Sequence, residues 1–171
     1  VEFMHGLRSL LNGERLEIDG EFAQFDLDPP RIATVNPGCP PMYFGGFSEA
    51  AKQCAAEAAD VFLTWPDTVA SVGETVADMR RRADAFGRKL TCGLRAHMIV
   101  RETEAEARAA ADRLLTKLDI DTGEQIRNKS LDTQSAGVSR QSELRDGADD
   151  DGYAEANLWT GVGRARSGAG A

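Results

Sequence analysis

The chain has 171 residues, 42% hydrophobic and 28% charged, with a formal net charge of −8. That balance fits a globular protein long enough to bury a sizeable core, and acidity without a basic stripe excludes a general nucleic-acid surface. No apolar run approaches the roughly 18–20 residues of a membrane span and no signal peptide opens the chain, so the reading is no nucleic acid, no membrane and a cytoplasmic location.

Val1 to Leu11 places Phe3, Leu7, Leu10 and Leu11 at helical spacing, and Asn12-Gly13 closes that helix. Apolar alternation on both sides of Asp19-Gly20 predicts a β-hairpin over 15–27, and Asp28 to Pro41 holds five of the six prolines and reads as a loop. A rhythm then sets in. The segment P-M-Y-F-G-G (41–46) is a short strand ending in two glycines, and Ser48 opens a helix with Ala51, Cys54, Ala55 and Ala58 on its inner face. D-V-F-L-T-W (60–65) is a second strand, and Asp67 or Thr68 caps a helix carrying Val69, Val72, Val76, Met79 and Phe86. Gly87 ends that helix, and Thr91 to Val100 follows as a third strand. Thr103 and Glu106 form a capping box for a helix with a stripe from Ala107 to Leu118. Three β-α units in succession predict a parallel α/β sheet. From Asp121 to Glu155 the chain is polar and reads as an insertion or mobile loop with helical pieces; apolar order returns at N-L-W-T-G-V-G (157–163). Cys39, Cys54 and Cys92 are an odd set without a C-x-x-C pair, so they read as thiols rather than bridges, and no metal site is expected.

Ligands of parallel α/β folds sit at the carboxyl ends of the strands, which makes those ends the place to look. The first strand ends at Gly45-Gly46 and leads to Ser48 at a helix start, where backbone N–H groups favour an anion such as phosphate. The second ends at Trp65, a residue able to wall a flat ligand. On the third, Arg95 and His97 share one face of an otherwise apolar strand, which predicts burial and an anionic partner for the guanidinium. Arg164 and Arg166 lie on a glycine-rich stretch able to add positive charge over a site, whereas His5 on the first helix is expected to be solvated.

The motifs G-L-R-A-H-M-I-V-R-E-T-E, P-M-Y-F-G-G-x-S, D-V-F-L-T-W and N-L-W-T-G-V-G-x-x-R-x-G-A-G, in this order, resemble the bacterial alkanesulfonate monooxygenases of the bacterial-luciferase-like superfamily. The resemblance implies a (β/α)8 TIM barrel with an insertion, of which residues 1–171 are one partial domain supplying about three parallel strands, with 121–155 inside the insertion. It implies a two-component enzyme that takes FMNH2 from a separate NAD(P)H-dependent FMN reductase, uses O2, and cleaves the C–S bond of an alkanesulfonate to aldehyde and sulfite. Under it, Arg95 binds the sulfonate or the oxygenated flavin anion, His97 assists proton transfer or orientation, and Arg166 closes the site from a lid loop. Trp65 belongs to the active-site wall, and Ser48 and Gly46 lie near the flavin phosphate. Full-length members are expected to be homo-oligomers. T-W-P-D-T-V departs from the family's usual T-W-G-E-P-P, and the family's catalytic cysteine, histidine and tyrosine have no counterpart here. The chain opens without an initiator methionine and stops on the glycine-rich S-G-A-G-A, so both ends read as cut and the chain alone is expected to be inactive. The alternatives are a luciferase-like oxidoreductase using another substrate or a deazaflavin, and a non-catalytic barrel fragment.

Overall fold

The computed structural model describes residues 1–31, 35–36, 38–116, 125 and 135–161. Helix α1 (Glu2–Leu11) is followed by the hairpin β1 (Leu16–Asp19) and β2 (Gln24–Leu27), paired antiparallel from Leu16↔Leu27 to Asp19↔Gln24. The Glu2 carboxylate accepts from the Glu21 and Phe22 N–H groups, which ties the start of α1 to the hairpin turn. His5 is exposed, as its helix face requires.

The β-α rhythm is realised in full. Strand β3 (Tyr43–Gly45) leads to α2 (Glu49–Ala58), β4 (Val61–Thr64) to α3 (Val69–Ala85), and β5 (Thr91–Leu94) to α4 (Glu104–Leu115). The sheet order is β3-β4-β5. Thr91 donates to the Asp60 carbonyl and Arg95 to the Thr64 carbonyl, so β5 advances along β4 in the same direction, the parallel arrangement that helical crossovers impose. Thr103 and Glu106 form the predicted capping box, and Gly87 takes a left-handed φ of 64° just past α3.

The third strand is shorter than its alternation suggests. It stops at Leu94, and Arg95 to Val100 has no regular structure. In a parallel ladder the bond after Arg95 N–H to Thr64 would be donated by residue 66 to the Arg95 carbonyl, and Pro66 has no N–H. Arg95 and His97 are exposed in the described structure, where the alternation predicts burial in an interior. Leu94, Met98 and Val100 are exposed along with them.

The chain divides into two compact units, and β4, α3 and β5 contribute to both. The first unit contains Val1–Gly45, Glu49–Phe62 and Asp78–Cys92. Its core joins Ala55, Ala56 and Ala59 to Phe62, Met79, Ala83 and Leu90, with Met4, Phe44 and Cys92 packed against it. The alanines let α2 approach the sheet closely, and Phe62 and Met79 fill the space they leave. Burial pushes the Cys92 thiol up, with Arg80 acting weakly the other way. Of the apolar positions read on α3, Met79 is fully buried, but Val69 and Phe86 are exposed at the two ends.

The second unit contains Gly46–Ser48, Leu63–Ala77 and Gly93–Ala171. Within 121–155, the stretch read as a polar insertion or mobile loop, residues from Ser135 on include α5 (Ala136–Asp146) and β6 (Tyr153–Glu155); β6 pairs antiparallel with β7 (Leu158–Trp159). The Ser135 hydroxyl caps α5 by accepting from Val138 N–H.

Candidate active site

Strands β3, β4 and β5 are bounded by two different kinds of residue. Those that lead into the strands are tied to one another. Asp60, just before β4, accepts from Arg8 Nη2 at 2.8 Å, from Met42 N–H at 2.8 Å and from Arg88 Nη2 at 3.3 Å. Arg8 and Arg88 also donate to the Ala58, Ala59 and Glu57 carbonyls at the end of α2. Burial pulls the Asp60 carboxyl up, but the Met42 N–H and the two guanidinium groups outweigh it and hold it below its ordinary value.

The residues that trail the strands are the sequence candidates, and all the described ones fall in the second compact unit. Gly46 is half-buried after β3, and Ser48 is exposed immediately before α2. Trp65 follows β4 and is half-buried. Arg95 follows β5, joined to the second strand through its N–H to Thr64, and His97 lies two residues on. Neither the Arg95 nor the His97 side chain has a hydrogen bond or ion pair with a described residue. An exposed guanidinium and imidazole beside the end of a neighbouring strand are suited to hold an anion that arrives from solvent. Arg164 and Arg166 lie outside the described residues.

Sequence reasoning missed a second cluster here. Asp67 accepts from Arg140 Nε at 2.6 Å and Nη2 at 2.8 Å, from Thr68 N–H at 2.7 Å and from the Ser71 hydroxyl at 3.0 Å. That occupies all four acceptor positions of a carboxylate whose side chain is only 8% exposed. Burial raises the Asp67 carboxyl, the Arg140 fork and the Thr68 and Ser71 donors lower it further, and the net direction is down; Arg140 is raised in turn by Asp67. The buried Gln141 side chain donates to the Pro66 carbonyl, and Glu155 accepts from Val69 N–H at the start of α3. These contacts dock α5 and β6 on the turn that follows β4. The signal for α5 was a serine cap at Ser135, but only Val138 and Leu144 mark an apolar side, too few to set a helical period.

Between α5 and the turn lies a cavity of about 20 Å3 lined by Phe47, Thr64, Trp65, Asp67, Gly137, Arg140 and Gln141. It has room for about one water, so a flavin ring does not lie in it. The Trp65 face turned to α5 is accordingly occupied, and only the rest of that residue is available as a wall. By residue type, Ser48 at a helix start suits a phosphate, and Arg95 after β5 suits an anion.

A parallel β-α sheet whose cationic and hydroxyl side chains trail successive strands has the build of an α/β-barrel enzyme. The comparisons narrow this class. Residues 1–170 match the family model for luciferase-like monooxygenases, and the chain belongs to that family. It is 60% identical over 171 residues to a sulfoquinovose monooxygenase of Novosphingobium aromaticivorans, covering 100% of this chain and 47% of that protein. A sulfoquinovose monooxygenase of Agrobacterium fabrum is 45% identical over 173 residues, covering 99% of this chain and 45% of that protein. The chain thus spans about half the length of these relatives. A crystal structure of riboflavin lyase with modified FMN and riboflavin superposes with a TM-score of 0.57 at 17% identity, covering 90% of this chain and 33% of that one, which supports the luciferase-like fold. The resemblance to alkanesulfonate enzymes therefore holds at the level of the family, while these relatives carry the name of a different sulfonate monooxygenase.

Proposed function

We propose that the chain is part of a flavin-dependent monooxygenase that acts on a sulfonated sugar of the sulfoquinovose kind and releases sulfite. The observation that carries this reading is the exposed Arg95–His97 pair trailing β5, without a described partner, in a chain 60% identical to a sulfoquinovose monooxygenase. Arg95 receives the sulfonate or another anion of the reaction, and His97 orients it or carries a proton. Ser48 and Gly46 hold the cofactor phosphate, Trp65 limits the site on the side of α5, and Arg166 closes over it. Reduced FMN, supplied by a separate NAD(P)H-dependent reductase, provides the reducing power to activate O2 when bound. The whole protein is read as a homo-oligomer working in the cytoplasm.

The test uses the full-length protein with a reductase, FMN, NADH and oxygen, and measures sulfite released from sulfoquinovose and from simple alkanesulfonates. Sulfite from the sugar sulfonate is expected. Arg95→Ala lowers kcat/KM by about 10- to 100-fold, the loss of one charge-assisted contact. No sulfite from any sulfonate, or Arg95→Ala within about twofold of the parent, refutes the reading.

A further inference from the structure

We propose that Asp67 and Arg140 are a positioning pair that fixes the Trp65 ring at the end of β4 and so tunes which substrate the site accepts. The proposal rests on the reading of Trp65 as one limit of that site. Three observations converge. Arg140 grips Asp67 through two donors of its fork, a geometry that sets orientation as well as distance. Gln141, one residue on, holds the Pro66 carbonyl, so the two residues after Trp65 are both fixed to α5. Gly137, one turn before, presents bare backbone to the ring: a Cβ built there would lie 3.3 Å from Trp65 Cζ3 and 3.8 Å from its Cε3. The six-membered edge of the indole therefore abuts the helix at the one residue without a side chain.

This geometry is more than a helix cap. Thr68 already supplies the cap of α3, accepting from Ser71 N–H at 3.2 Å, and Asp67 needs no arginine for its bond to Thr68 N–H. What Arg140 adds is a link between residues 73 apart in sequence, from an otherwise polar helix to the turn that carries Trp65. Changing that link alters the ring's placement without altering Arg95 or His97. Substrate fit, rather than the chemical step, is the quantity it controls.

The experiment uses full-length enzyme labelled with fluorotryptophan, with the Trp65 resonance assigned through Trp65→Phe. Arg140→Lys keeps the charge and loses the fork, Gly137→Ala crowds the ring directly, and Glu143→Gln removes only the charge of Arg140's other partner. Arg140→Lys and Gly137→Ala are expected to shift the Trp65 fluorine resonance and raise KM for sulfoquinovose roughly tenfold with kcat within about twofold, while Glu143→Gln moves neither. An unmoved resonance in Arg140→Lys overturns the proposal, as does a moved resonance with unchanged KM in an active enzyme. If the parent releases no sulfite, the proposed function fails, and the resonance still decides the positioning claim: shifted supports it, unshifted overturns it.

Discussion

Replacing Asp60 by asparagine removes a charge and keeps the shape. With its oxygen at the Oδ2 position the new amide still accepts from Met42 N–H and Arg8, so what is lost is the ionic part of the Arg8 contact at 2.8 Å and the whole of the Arg88 contact at 3.3 Å, where an amide NH2 cannot accept. The Asp60 side chain is 31% exposed, and Arg8 and Arg88 are 31% and 27% exposed, so solvent screens both pairs. About 0.5–1 kcal/mol for the shorter pair and less for the longer gives a total near 1 kcal/mol at neutral pH. Its pH dependence has a definite sign. The folded carboxyl titrates below its ordinary value, so its contribution is present above the unfolded pKa and is lost as pH falls through the folded one. Hydrogen–deuterium exchange of the full-length protein, read at the Met42, Asp60 and Val61 amides, should be faster in Asp60→Asn at pH 7. The gap should close in acid, after correction for intrinsic exchange. A gap that stays constant or widens as pH falls would refute the account of Asp60 as an ion-paired lock.

Other changes test the packing and the site. Met79→Ala empties a fully buried position in the first unit and should cost about 2–5 kcal/mol, read as a lowered urea midpoint. Thr103→Ala breaks the capping box of α4 and should cost about 1 kcal/mol, with Thr103→Ser close to the parent in the same titration. Gly87→Ala forces a side chain into a left-handed turn with open space around it; a loss near 1 kcal/mol in thermal unfolding is expected, from strain alone. Under the proposed function, His97→Gln in the full-length protein should lower sulfite release without moving the urea midpoint, because the exposed imidazole holds no described partner.

The parts of this fold that the sequence discloses are those with a local cause. Thr103 and Glu106 are three residues apart and cap the same turn, and the alternation on either side of Asp19-Gly20 signals the hairpin, whose turn lies further on, since Asp19 itself pairs with Gln24. The small residues of α2 announce close packing before any partner is known. Strand β5 reads longer in the sequence than it is because alternation continues through Ile99, while the next ladder bond is missing because Pro66, just past the neighbouring strand, has no N–H. The same blindness hides Asp67 and Arg140: a pair made across 73 residues leaves no periodic trace in either segment. Arg95 and His97 are found by residue type and position at a strand end, and their exposure removes the burial argument while leaving the positional one.

The contrast between the two ends of the strands has an evolutionary consequence. Ahead of the strands, one carboxylate is shared by two arginines and a main-chain amide, so a change there is felt by several elements together. Behind them, Arg95 and His97 can be exchanged without orphaning any described neighbour. Under the proposed function, a lineage carrying this architecture changes which anion it holds by altering the trailing residues, while its folding machinery is inherited intact.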